Sequence, residues 1–300
     1  MLKIAYHPIF KHNLPLGHRF PMSKYELLHD QLLHEGTCVE ANFFSPSRSA
    51  DEAILAVHSA SYLHDLQHLT LDKRAARKIG FPLSEALVNR EYVITQGTIE
   101  GSEHALTNGI AMNIAGGTHH AYPEHGEAFC IFNDQAIAAR YLLQNQRVKK
   151  ILFVDLDVHQ GNGTAVIFRD DPSVFTFSMH GAGNYPFRKE KSDLDIALPD
   201  GTNDEAYLSI LQETLPKLIE EQQPDFVFYI SGVDILESDK LGRLSCSLQG
   251  CKERDRYVLE TCKAHHIPLQ ISMGGGYSPE IKTIIEAHAN TFRLAQELFF

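Results

Sequence analysis

Five short stretches of this chain are almost unbroken apolar runs: Leu2–Tyr6, Ile151–Asp155, Val174–Ser178, Phe226–Ser231 and Pro268–Ser272. Runs of this length, rich in β-branched and aromatic side chains, are expected of strands buried on both faces of a parallel sheet. Between them, apolar positions recur every three or four residues, the period of an amphipathic helix. These patterns predict helices over Lys24–Glu35 (stopped by Gly36), Thr95–Asn113, Asp134–Leu143, Asp204–Gln222, Arg254–His265 and Pro279–Leu298. Strands alternating with helices predict an α/β protein of three layers, α-β-α, with a mainly parallel central sheet and helices on both faces. No Pro/Ser-rich linker, charge block or fixed-period repeat divides the chain, so residues 1–300 read as one domain.

The unusual polar residues cluster where the strands end. Asp155, Asp157 and His159 close one strand, and Ser178 and His180 the next; Ser231 and Asp234 follow a third, and Gly274-Gly275-Gly276-Tyr277 a fourth. In open α/β sheets the ligand crevice lies outside the carboxyl ends of the strands, so four strands aim side chains at one place. In extended chain, residues i, i+2 and i+4 share a face. Asp155, Asp157 and His159 therefore line one side, while Leu156 and Val158 turn to the core. Three ionisable groups at a buried strand end are costly unless something pairs with them, and a divalent cation does so directly. Asp157, His159 and a third carboxylate, best supplied by Asp234, leave a fourth position for water, the pattern of catalytic zinc. A two-manganese ureohydrolase site needs further bridging carboxylates, and the position two after Asp234 is Leu236. The pattern argues for one metal.

The Gly-rich loop Gly116–Pro123 carries two adjacent histidines, His119 and His120. Imidazole suits proton transfer near neutrality, and a site with two Asp ligands polarises water less than an all-His site, so a base must assist. His120 is the candidate base and His119 has an electrostatic or acid role; most of the 17 histidines lack any such context. Tyr277, a phenol placed after three glycines at a strand end, can hydrogen-bond a substrate carbonyl opposite the metal and stabilise the developing oxyanion.

Composition narrows the partners. With 43% hydrophobic and 22% charged residues the chain has ample material for a globular core. A net charge of −11 repels phosphates and argues against direct nucleic-acid binding, while tolerating cationic ligands such as Lys-rich peptides or polyamines. Five cysteines with no Cys-x-x-Cys pair read as reduced, buried thiols of a cytoplasmic protein. Met1–His7 is too short and polar for a signal peptide. No apolar run approaches the roughly 18 residues needed to cross a membrane.

From Gly17-His18-Arg19-Phe20-Pro21-Met22 to Gly274-Gly275-Gly276-Tyr277, the chain resembles the arginase/deacetylase fold and, within it, the histone deacetylases. Asp155-Leu156-Asp157-Val158-His159-Gln160-Gly161-Asn162-Gly163 is similar to the class IV branch; Gly116–His120 and Gly126-Glu127-Ala128-Phe129-Cys130 match as well. The resemblance implies zinc-dependent hydrolysis of N-ε-acyl-lysine amides, acetyl or longer, in proteins or peptides. Small acylated amines such as acetylpolyamines are the alternative substrates. A catalytically silent acyl-lysine reader is the alternative outside enzymes; it would need neither Tyr277 nor the histidine pair.

Residue by residue, the resemblance implies Asp157, His159 and Asp234 as zinc ligands and His120 as general base. His119 would be its partner, buttressed by Asp155, and Tyr277 would polarise the scissile carbonyl. Phe129 and Tyr185, with Gly275, would line the narrow substrate channel. Arg19 falls where the family has an arginine near an internal acetate exit channel. Asp155, with the backbone carbonyls of Asp157, His159, Ser178 and Met179, resembles the family's structural potassium site. Two positions depart from the class I pattern. Asn162 stands where those enzymes pair the second histidine with an Asp, and the loop Gly80–Glu85 lacks the rim Asp that grips a peptide backbone.

Overall fold

Each of the apolar runs becomes a strand, and helices fill the intervals. In the computed structural model, which describes residues 1–300, the strands are β1 (Lys3–Ala5), β2 (Phe43–Phe44), β3 (Ile110–Asn113), β4 (Ile151–Asp155), β5 (Val174–Gly181), β6 (Leu194–Leu198), β7 (Phe226–Ile230) and β8 (Leu269–Ser272). The helices are α1 (Lys24–His34), α2 (Asp51–Leu55), α3 (Ala60–Gln67), α4 (Lys73–Ile79), α5 (Glu85–Asn108), α6 (Asp134–Gln144), α7 (Asn162–Phe168), α8 (Asp204–Gln222), α9 (Leu248–Ala264) and α10 (Ile281–Phe299). The strands form one sheet in the order β2-β1-β3-β8-β7-β4-β5-β6, and every neighbouring pair is parallel.

That order dictates the layers. Parallel crossovers are right-handed, so connections running one way along the sheet cover one face and those running back cover the other. The steps β2→β3, β3→β4 and β4→β5 run one way and place α5, α6 and α7 together; α5 and α6 pack on each other. The steps β1→β2, β6→β7 and β7→β8 run back and place α1, α8 and α9 on the opposite face, where α10 packs against both α1 and α9. Buried on both faces, β3, β4, β7 and β8 contain no exposed residue.

Several element boundaries differ from the pattern reading. Residues 110–113, read as the end of a helix, form β3 between β1 and β8. The helix stops at Gly109, whose left-handed backbone (φ 85°) caps it, and the four residues that follow are all buried. The same helix starts earlier than its apolar period suggested, at Glu85, because the Ser84 hydroxyl accepts from Leu87 N. β5 runs on to Gly181 because Met179, His180 and Gly181 pair with β6, an edge strand too exposed to read as an apolar run. α9 begins at Leu248, capped by Ser247. No helix is long and apolar enough to cross a membrane.

A Cβ at Gly109 would meet Phe299 at 3.5 Å, ordinary contact, so only the left-handed backbone resists a side chain there. Gly109→Ala is therefore expected to lower unfolding free energy by about 1–2 kcal/mol, measured by denaturant titration; a neutral result would show that this helix end does not need its glycine.

Candidate active site

The sheet order creates the site. Chain leaving β3 and β4 turns to the α6/α7 face, while chain leaving β7 and β8 turns to the opposite face. The loops diverge at the carboxyl ends of these four central strands, the place where α/β sheets bind ligands. Asp155, Asp157 and His159 arrive from β4, Asp234 from β7, Gly275 and Tyr277 from β8, and His119 and His120 from the loop after β3.

Asp157, His159 and Asp234 converge: one ligand atom from each lies within 4.8 Å of the others, and all three residues are buried. His159 Nδ1 is 3.0 Å from Asp157 Oδ1 and 3.2 Å from Asp234 Oδ2. The remaining carboxylate oxygens are braced by backbone from neighbouring loops: Val158 N donates to Asp234 Oδ1 (3.0 Å) and Gly275 N to Asp157 Oδ2 (2.8 Å). Asp234 Oδ2 is fully buried, and its polar neighbour His159 Nδ1, though 3.2 Å away, is not aligned to hydrogen-bond it. A Cβ on Gly275 would sit 2.0 Å from that same oxygen, and one on Gly232 would sit 2.2 Å from Asp157 Oδ2, so only glycine lets the backbone pass. Burial and then Asp157 push the Asp234 carboxyl up to about 7. His159 is raised to about 10 by Asp157 and Asp234, against the downward pull of burial. Such a cluster demands positive charge, which a proton on His159 or a divalent cation supplies. The donor set, two carboxylates and an imidazole around an orphaned oxygen, fits zinc.

The two adjacent imidazoles, 4.1 Å apart between ring centres, have opposite electrostatics. His119 Nδ1 lies 2.7 Å from Asp155 Oδ2; burial lowers its pKa, but Asp155 outweighs burial and raises it to about 9. His120 is driven well below its usual value by burial and by the charge of His119 and His159. Its Nδ1 lies 2.6 Å from Asn162 Oδ1, while Asn162 Nδ2 donates to Glu127 Oε1 (2.8 Å) and to the Tyr122 hydroxyl (3.0 Å). Those two acceptors fix the amide orientation, so Asn162 Oδ1 must accept and His120 Nδ1 must donate. Nε2 of His120 is then left bare, as a base requires.

Sequence reasoning gave Glu127 no role. Burial raises its pKa, yet His125, Tyr185 and Asn162 together hold it down at about 2. A full negative charge therefore stands one amide beyond His120. Its place in the Gly126–Cys130 motif was the only signal, and the role stayed hidden because the contact with Asn162 spans 35 positions.

Two rings flank the approach. Tyr185 meets His120 edge-on, ring centres 5.1 Å apart, and Phe129 packs against Phe20, Phe81 and Tyr277. Phe129 has φ 69° and Ala128 φ 48°; both are held in this strained conformation by hydrogen bonds to Ile79 O and Lys78 O at the end of α4. Tyr277 lines the cavity with its hydroxyl free of protein partners, and burial followed by Asp234 and Asp157 keeps it protonated at all ordinary pH. Ser178 sits beside Asp155 in the β4/β5 register, with Met179 next along β5.

Arg19 is placed differently from the expectation of an internal channel: it is exposed, at the mouth, with its guanidinium over the Phe129 ring at 4.9 Å. The interior cation is Lys24, the first residue of α1, fully buried with Nζ donating to Gly274 O at 3.1 Å. Burial brings its pKa down to about 8, with Asp234 and Asp157 pulling the other way. The signal was present: Lys24 shares the four-residue apolar spacing of Leu28 and Leu32. Arg254 in α9 is also fully buried. It pairs with Asp255 and donates to the carbonyls of Leu156, Ser231 and Gly232, tying together the chain after β4 and β7.

Comparison with known proteins agrees with this geometry. A family profile described as the histone deacetylase domain matches residues 18–292. An uncharacterized protein of Picosynechococcus sp. is 43% identical over 296 residues, covering 99% of each chain. Histone deacetylase 2 of Arabidopsis thaliana is 30% identical across 89% of this chain and 72% of its own length. The acetoin utilization protein AcuC of Staphylococcus xylosus is 27% identical over 87% of this chain and 74% of its own. The crystal structure of the HDA15 HD domain superposes with a TM-score of 0.82 over 99% of this chain and 88% of that one; at 18% identity it speaks to the fold alone.

A resident ion should stabilise the folded chain: at a hundred times its dissociation constant it adds about 2.7 kcal/mol. Dialysis against a chelator is expected to lower Tm and zinc to restore it, and Asp234→Asn to abolish the difference. A metal-free protein whose Tm ignores zinc would argue against a metal centre here.

Proposed function

Since the chain belongs to the histone deacetylase family and is a hydrolase acting on amides, we propose that it cleaves N-ε-acyl-lysine with one zinc ion held by Asp157, His159 and Asp234. The observation that carries this reading is the convergence of a bare imidazole nitrogen, a free phenol and a metal-competent Asp-His-Asp group on one narrow cavity. Bound zinc would supply Lewis-acid polarisation of the scissile carbonyl and of the attacking water.

The chain's own residues do the rest. His120 Nε2 accepts the proton of the attacking water, in the tautomer that Asn162 imposes. The Tyr277 hydroxyl donates to the carbonyl oxygen as negative charge develops there. His119, held cationic by Asp155, keeps the neighbouring ring neutral, and the pair returns a proton to the departing lysine amine. Phe129 and Tyr185 flank the lysine methylenes and exclude water. The neutral amide at Asn162 supports a class IV-like reading. A structural potassium ion would be held by Asp155 and the carbonyls of Asp157, His159, Ser178 and Met179.

The narrow cavity that holds His120, Asp157, His159 and Tyr277 is closed on its other sides by Phe20, Tyr25, Phe81 and the Gly116-Gly117 backbone. Walls this close to the Asp-His-Asp group favour a short acyl group such as acetyl over a long chain. A silent reader needs the walls but not the base and phenol.

Turnover of acetyl-lysine peptide with little or none of octanoyl- or myristoyl-lysine is the expected result; an inert zinc-loaded protein would favour the reader. Tyr277→Phe should lower kcat by about 10²–10³, the loss typical of one oxyanion donor. In Asn162→Asp a carboxylate beside His120 favours its protonated form and raises its pKa. The base is then lost at higher pH, so the acidic limb of the kcat/KM profile should move upward; an unmoved limb would refute the coupling.

A further inference from the structure

The mouth of the site has a charge opposite to that of the whole chain. The net charge is −11, yet the roughly 330 Å³ cavity that opens the site to solvent is lined by Arg19, Lys78 and Arg243 and by no Asp or Glu. Arg243 has a partner outside the lining, Asp200, at 3.3 Å, but that pair is more than half exposed, and such pairs neutralise weakly in water. Lys78 lies 3.8 Å from Glu127 Oε2 and is partly offset by it, while Glu127 Oε1 accepts from Asn162, so the uncompensated charge at the mouth rests chiefly on Arg19 and Arg243. Arg19 has no acidic partner at all; its guanidinium rests on the Phe129 ring at the channel wall. Beside them Phe187 is 86% exposed, an apolar surface that nothing in the chain covers.

Given the proposed orientation, with the acyl group inward and the lysine backbone outward, whatever surrounds the acylated lysine meets this ring of cations. We propose that the enzyme selects acyl-lysine in an acidic sequence context, with carboxylates flanking the modified residue, and discriminates against Lys-rich peptides and acetylpolyamines. This rests on the reading of the site as an acyl-lysine hydrolase and sharpens its substrate class. The overall acidity of the chain, which by itself tolerates cationic ligands, is locally reversed. A cleft lined by one sign of charge and walled by aromatic rings focuses its field and raises the encounter rate of oppositely charged ligands. The chemistry needed is a carboxylate within a residue or two of the acetyl-lysine, and it has two sources: flanking Asp or Glu side chains, or the free α-carboxylate of acetyl-lysine itself.

The test is kcat/KM of the zinc-loaded enzyme on end-capped acetyl-lysine peptides identical except for Glu, Ser or Lys flanks, together with free N-ε-acetyl-lysine, its α-amide and an acetylpolyamine. The Glu-flanked peptide is expected to exceed the Lys-flanked one by roughly tenfold or more at low salt. The ratio should fall towards one as ionic strength rises, a readout that needs no variant. Arg19→Glu should reduce or invert the ratio, and Arg19→Gln with Arg243→Gln should shrink it. A preference for the free amino acid over its amide, without a flank effect, would assign the cations to the α-carboxylate and overturn the peptide-context proposal. Equal rates across the flanks, or preference for the Lys-flanked peptide or the polyamine, would overturn it as well and leave the hydrolase reading standing. No turnover of any acetylated substrate would sink that reading, and this inference with it.

Discussion

Two buried carboxylates facing the same point organise this protein. Asp157 and Asp234 are out of water, and like charges so placed repel strongly in a low-dielectric interior. Nothing in the apolar core can hold them together, so the surrounding backbone does. Val158 N and Gly275 N each brace a carboxylate that comes from another strand, and Gly232 and Gly275 give up a side chain to make room. Beneath them, Arg254 spends its donors on three strand-end carbonyls and on Asp255. A buried ion pair of that kind gains little stability of its own. Its effect is to fix where the loops after β4 and β7 begin, and hence where the carboxylates point.

The same logic divides labour between the two histidines. Both rings are buried and both hydrogen-bond through Nδ1, so geometry alone would make them twins. The difference is the partner. Asp155 gives His119 a full negative charge at contact, whereas Asn162 offers His120 a carbonyl dipole and leaves the compensating charge on Glu127, one amide further out. One imidazole is stabilised as a cation, the other as a neutral acceptor, and each charge state reinforces the other. Pairs whose environments drive their pKa values apart are the signature of assigned acid and base roles.

Much of this was legible in the order of residues. Ile151–Asp155 and Asp204–Gln222 have the bounds their patterns predict, because an unbroken apolar run and a long amphipathic period each permit one structure. The convergence of Asp157, His159 and Asp234 was readable because all three follow the carboxyl ends of buried strands, although each lies in the loop beyond its strand and not on a strand face. What escaped was non-local. Ile110–Asn113 is four residues of weak preference that become a strand only because β1 and β8 offer edges on either side. Lys24 sits on an apolar stripe yet donates to the carbonyl of Gly274 beside the candidate site, 250 positions away.

The sequence by itself determined the fold class and the strand ends at which the candidate site gathers, since these follow from local periodicity and from residue type. Only the tertiary structure decided how the groups are charged and what they face. It set Glu127 behind Asn162, kept Arg19 outside and Lys24 inside, and gathered three cations at the mouth of an acidic protein. Protonation and field depend on burial and on distances between residues far apart in the chain, and those quantities exist only once the chain has folded.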